Sequence, residues 1–271
     1  MDEQTLVGIK GIVNIVSSAF ELLSSAFELL FRKIANFTEW YHINQDKIQE
    51  YIDGIEKLAY WQNAVDRLTE SQIVFTEPMS GEIIDGINKA KNVENFILEY
   101  YSESGNERLK KLIGRCGSAK EILAYKKLYP QVVVASEMGC YQLACLGLFT
   151  LEDGILADVT NEPKNTNFNS RIKKLENKIN DKIPLSDIDL RILEIIVTFD
   201  KFKETAFGNS NFNEAEPNYL NRHWTLHGRS RREYTKLDFI RMLLSLDALI
   251  FMMNLTEQPE SEDSEDKEDE L

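Results

Sequence analysis

Two imidazoles and three guanidinium or indole neighbours crowd into Tyr219-Leu220-Asn221-Arg222-His223-Trp224-Thr225-Leu226-His227-Gly228-Arg229. Arg231, Arg232 and Lys236 follow closely. This is a poor composition for a core and a good one for stabilising and protonating a phosphate oxyanion. Arginine offers a rigid fork of donors to the charge on a pentavalent phosphorane. Histidine can take a proton from a 2′-hydroxyl or return one to a leaving 5′-oxygen. That reaction needs no metal. His223 and His227 stand at i, i+4, but no HExxH pattern or adjacent carboxylate accompanies them, so no metal ligand set is assigned. Walker A, dinucleotide-binding glycine and G-x-S-x-G patterns are absent, and no cofactor is expected.

The elements that must hold this segment are helices. The 271 residues are 43% hydrophobic and 28% charged, with only 13 Gly and 6 Pro, a composition that excludes collagen-like and low-complexity chains. Helical spacing predicts elements over about 44–68, 81–101, 107–113, 119–128, 171–182, 187–207 and 236–255. Thr76-Glu77-Pro78 and Tyr129-Pro130 are expected to break the chain. The apolar stretch from Val132 to Leu156 reads as one central helix, buried on most sides. Two capping signals stand out: Ser186 with Asp189, and Thr235 with Asp238. Only short runs such as Gln131–Val134 show any strand-like alternation, so the fold class is all-α.

Near the N-terminus, Ser17-Ser18-Ala19-Phe20-Glu21-Leu22-Leu23 is repeated at once as residues 24–30. A seven-residue insertion lengthens a helix by two turns and shifts its apolar stripe by only ~20°. The surrounding stretch, Leu6 to Phe31, is interrupted by Lys10, Asn14, Glu21 and Glu28, and reads as amphipathic instead of membrane-spanning. With no basic leader, the expected location is cytoplasmic, without a membrane. The cysteines Cys116, Cys140 and Cys145 are odd in number and lack CxxC spacing, which points to free thiols.

Charge is unevenly placed. The formal net charge is −14, of which residues 257–271 carry nine acids and one Lys. Residues 222–241 instead hold six basic residues against Glu233 and Asp238. Only this short basic segment could favour a polyanion. Three regions follow: 1–117, a helical part for sensing or interaction; 118–256, a helical bundle; and 257–271, a disordered acidic tail able to mask the basic segment.

Arg222 and His227, with a polar residue directly after the Arg, match the R-x4-H motif of the HEPN superfamily. The longer string Leu220-Asn221-Arg222-His223, then Leu226-His227-Gly228, precedes a Leu-rich helix, Leu243-Leu244-Ser245-Leu246-Asp247-Ala248-Leu249. It resembles the form seen in Apea-like and abortive-infection HEPN proteins of bacteria. Leu151-Glu152-Asp153-Gly154-Ile155 is similar to the acid-Gly-Ile segment on an earlier helix of such proteins. The resemblance covers about residues 119–255; Gly228 and Arg229 depart from the H-x-Tyr of the toxin–antitoxin branch.

The resemblance implies a HEPN-like bundle that forms a homodimer or higher homo-oligomer. It also implies metal-independent cleavage of an RNA substrate in antiphage, abortive-infection or toxin-type defence. Arg222 would stabilise the phosphate and His227 act as general acid or base, with His223 beside them in the catalytic set. Asn221, Arg229, Arg231, Arg232 and Lys236 would meet the substrate. On a helix, five residues separate Arg222 from His227 by ~7.5 Å along the axis and ~140° around it, which favours a site shared across a two-fold. A regulatory protein partner would engage the N-terminal region. The alternative is a non-catalytic helical interaction module or adaptor.

Overall fold

The last helix organises the molecule. In the computed structural model, which describes residues 56–161, 167–182 and 190–256, the chain divides into two compact units, Met1–Ala59 and Tyr60–Leu271. The first is described only at residues 56–59, which are helical. The duplicated heptad, the helix start near residue 44, the Ser186–Asp189 cap and the acidic tail lie outside the described residues.

The second unit is all-α, with no strand among the described residues. Its elements are α1 (residues 60–70), α2 (Gly81–Lys89), α3 (Val93–Ser118), a 3-10 turn (Lys120–Tyr125), α4 (Leu128–Glu137) and α5 (Tyr141–Thr160). They continue as α6 (Phe168–Lys182), α7 (Leu190–Ala206), α8 (Arg222–Leu226) and α9 (Lys236–Leu255). The boundary expected at residue 117 falls inside this unit, at the end of α3.

Helix α9 is buried on every side from Leu237 to Ile250, and α3, α5, α6 and α7 pack around it. A helix that is apolar all round has nowhere to go but the interior. Its few polar residues are paired: Arg115 grips Asp247 with two hydrogen bonds of 2.7 and 2.8 Å, and Ser245 donates to Glu152 on α5. Arg241 reaches Glu94 and the carbonyl of Ser71. The helix starts where its sequence says it should. Thr235 accepts from the Asp238 N–H while the Asp238 carboxylate accepts from the Thr235 N–H, a full capping box.

Elsewhere local signals were overruled. The apolar stretch from Val132 onward is two helices, because Met138–Cys140 turns the chain with Gly139 at φ 75°. That left-handed conformation favours glycine. α9, not this stretch, is the central helix. Pro130 does not break the chain either; it is the third residue of α4, within the first turn, where its missing N–H costs no helical bond. The same helix absorbs the strand-like run Gln131–Val134. The helix expected over 81–101 is divided at Asn92, whose side chain caps α3 by accepting from the Asn95 N–H at 2.8 Å. Within α3 the helical path is interrupted at Glu103–Asn106, where the sequence placed its loop.

Candidate functional site

The site is built on α8, a short helix pinned at both ends. Asn221 is its N-cap, and the Asn221 Oδ1 accepts from the Trp224 N–H at 3.2 Å and from the Ser210 hydroxyl at 2.9 Å. Its Nδ2 donates to the carbonyls of Thr205 and Gly208, at the end of α7. Asn221 is 3% exposed and both ends of its amide are engaged. It ties α8 to α7 and to the loop between them.

At the other end, His227 is the C-cap and Gly228 follows at φ 64°. The Arg229 N–H returns to the Trp224 carbonyl and the Gly228 N–H to the Thr225 carbonyl, the two bonds of a Schellman closure. Gly228 is thus required by the backbone of this turn. Thr225 and Tyr234 share a buried hydroxyl contact beneath the helix.

From this frame the predicted side chains diverge. Arg222 turns toward α5, where its Nη2 donates to the Asp153 Oδ2 at 2.5 Å. The same carboxylate receives Arg171 on its other oxygen at 3.2 Å. Asp153 is thereby the acid that orients Arg222. It sits beside Gly154, where an added Cβ would fall 2.5 Å from the Tyr125 hydroxyl oxygen, so a side chain there would have to displace Tyr125.

The imidazoles of His223 and His227 meet edge to face, ring centroids 4.9 Å apart. Between them and the loop lies Phe212, 5.2 Å from His223, 5.5 Å from His227 and edge-on to Trp224 at 5.2 Å. The Arg229 guanidinium lies over the Phe212 ring, 4.4 Å from its centroid. Burial, the adjacent His227 and the Arg222 charge hold the His223 pKa below its ordinary value. The Ser210 N–H points at the His223 Nδ1 at 3.4 Å, which leaves the proton of the neutral ring on Nε2. His223 is consequently a neutral donor, while His227 is exposed. No group of three or more His, Cys, Asp or Glu able to hold a metal occurs among the described residues.

The remaining basic residues separate into two kinds. Arg232 pairs with Asp238 at 2.5 Å, donates to the Asn218 carbonyl and covers the Tyr234 ring. The Lys236 ammonium donates to Ser102 and Asn106 at the interruption of α3, and burial lowers its pKa. Both, expected to meet the substrate, are engaged by partners of their own chain. Arg229 and Arg231 are exposed and pair with no carboxylate among the described residues.

Two members of the site gave no sequence signal. Phe212 and Glu216 lie in the polar loop between α7 and α8. Glu216 accepts from the Ser230 hydroxyl and from the N–H groups of Arg231 and Arg232. Burial alone would raise the Glu216 pKa, but these hydrogen bonds and Arg232 outweigh it and lower the value.

Fold and site together define an all-α protein carrying a surface Arg–His–aromatic cluster on a doubly anchored helix. Comparison of the chain with protein-family models, with curated proteins and with solved structures finds no match in any of the three. No helix among the described residues is long and apolar enough to cross a membrane.

Proposed function

We propose that the chain is a metal-independent endoribonuclease of the HEPN kind, acting in bacterial antiphage or toxin-type defence, with Arg222 and His227 at the scissile phosphodiester. The observation that carries this is the short helix α8 itself. It presents an exposed imidazole at its C-terminus and an Asp153-oriented guanidinium at its start, both fixed by backbone caps. Such preorganisation is what charge stabilisation at a phosphorane requires.

The chemistry assigned is transesterification. The 2′-hydroxyl of the substrate loses its proton to a general base and attacks phosphorus. The P–O5′ bond breaks, a 2′,3′-cyclic phosphate forms, and the leaving 5′-oxygen receives a proton. His227 exchanges these protons with the substrate; Arg222, with Nη1 hydrogens beyond those given to Asp153, meets a non-bridging oxygen. His223, neutral and protonated on Nε2, donates a hydrogen bond without adding charge.

The test is cleavage of a defined RNA in the presence of EDTA. Arg222→Ala and His227→Ala are expected to reduce the rate at least about 100-fold with the helical circular-dichroism signal unchanged. No cleavage by the wild type, with growth arrest kept in both variants, would leave the interaction-module alternative; undiminished cleavage in both variants would move the active site away from Arg222 and His227. One observation favours that second reading. Val134 and Met138, one turn apart on α4, are 52% and 73% exposed, with Leu143 nearby in sequence at 60%. Substituting Val134 and Met138 by Ser would then remove function where the Arg222 and His227 variants keep it.

A further inference from the structure

Residues 222–241 carry six cationic side chains, but four are spent within the chain. Arg222 is held by Asp153, Arg232 by Asp238, Lys236 by Ser102 and Asn106, and Arg241 by Glu94 and Asp238. Of the two that remain, Arg231 extends from a backbone clamped by Glu216, and only Arg229 touches the imidazole cluster, through Phe212.

Phe212 does not belong to the main hydrophobic core. It is a half-buried aromatic in an otherwise polar loop. Arg229 lies over its ring, and the rings of His223, Trp224 and His227 pack around it with centroids 5.2, 5.2 and 5.5 Å away. The loop that presents it is fastened to α8 by Ser210, through the Asn221 and His223 side chains. An exposed arginine loses rotamer freedom when it is fixed on a ligand. Stacking on a ring removes part of that loss beforehand and leaves the donors in the guanidinium plane free to point outward.

We infer that Arg229, held over the Phe212 ring, is the guanidinium that binds the substrate's phosphodiester backbone, and that Phe212 is the positioning residue that aims it beside His227. This rests on the ribonuclease proposal and changes its division of labour. Arg229 supplies ground-state binding from the exposed side of the cluster. Arg222, tethered to α5, acts in the transition state. The ligand is a single-stranded RNA backbone, recognised through charge without base-specific contacts.

The experiment measures binding of a 2′-O-methyl oligoribonucleotide, which cannot be cleaved, to the full chain by fluorescence anisotropy across a salt series. Cleavage of the unmodified RNA is assayed in parallel. Arg229→Ala is expected to weaken binding about five- to tenfold and to reduce the salt slope by about 0.7, the loss of one phosphate contact on a single strand. Arg229→Lys keeps the slope but loses part of the affinity. Phe212→Ala and Phe212→Leu weaken binding although Arg229 is intact, and Phe212→Tyr restores it. Thermal melting identifies any variant that has unfolded; Phe212→Leu serves if Phe212→Ala does. Wild-type binding in folded Arg229→Ala and Phe212→Leu overturns the inference while cleavage by the wild type leaves the ribonuclease standing. A wild type that neither binds nor cleaves RNA overturns both.

Discussion

Asn221 spends both ends of its side-chain amide inside the protein, and that decides what its loss would do. Its oxygen caps α8 and its nitrogen reaches two carbonyls near the end of α7. An N-cap replaced by Ala costs about 0.5–2 kcal/mol, and stranded carbonyl partners add to this. Asn221→Ala is therefore expected to destabilise the chain by about 2–3 kcal/mol, read as a lower urea midpoint with an unchanged slope. Asn221→Ser keeps a capping oxygen and loses the bonds donated to the two carbonyls, so it should fall between. An exposed, substrate-facing Asn221 would instead show wild-type unfolding in both variants. Sequence made the residue visible as part of the Leu220-Asn221-Arg222-His223 string and not as a helix cap. It did not reveal the carbonyls the amide would find, which come from 13 and 16 residues away.

At the scale of elements, what was legible follows the range of the interaction. The start of α9 is set by Thr235 and Asp238, three residues apart, and sequence located it. The division of residues 132–156 turns on Gly139 in a left-handed conformation, a single glycine in an apolar run that periodicity cannot distinguish from a tolerated one. Phe212 belongs to a loop without any period, so its partners in α8 and beyond gave no signal. The same holds for the contact between α5 and α9, where Glu152 is fully buried against Ser245. Burial drives the Glu152 pKa well above the ordinary carboxylate value, opposed by the Ser245 hydrogen bond and aided by Asp153.

That shift has a definite sign for stability. Above about pH 4.3 the unfolded chain releases the Glu152 proton while the folded chain keeps it, so the folded state binds more protons. Stability contributed at this position falls as pH rises through that window. Gln has the same shape, accepts from Ser245 and does not titrate. Glu152→Gln is thus expected to melt at a higher temperature than wild type at pH 8, with the gap narrowing as pH falls toward 4. A gap that is constant with pH would mean that Glu152 is ionised in the folded protein.

The whole molecule commits the two catalytic candidates to different neighbours, Arg222 to Asp153 of α5 and His227 to the Phe212 cluster. Five residues of helix set them ~140° apart around the axis, which favours a site completed by a second chain. On the proposed function, a two-fold pair of chains supplies Arg222 from one protomer and His227 from its partner. This makes a prediction that no single-chain site shares. Arg222→Ala and His227→Ala chains, each inactive alone, are co-expressed so that they mix at random. Half of the pairs are then mixed, and each mixed pair has one intact composite site and one doubly damaged site. Cleavage should recover to about a quarter of the wild-type rate. A site contained within one chain gives no recovery, because neither protomer of a mixed pair holds both groups. Recovery that disappears on dilution, together with a halving of the molecular mass in light scattering, would tie the activity to the assembled pair. Persistent inactivity of a stable mixed pair would place the reaction, if there is one, on each protomer separately.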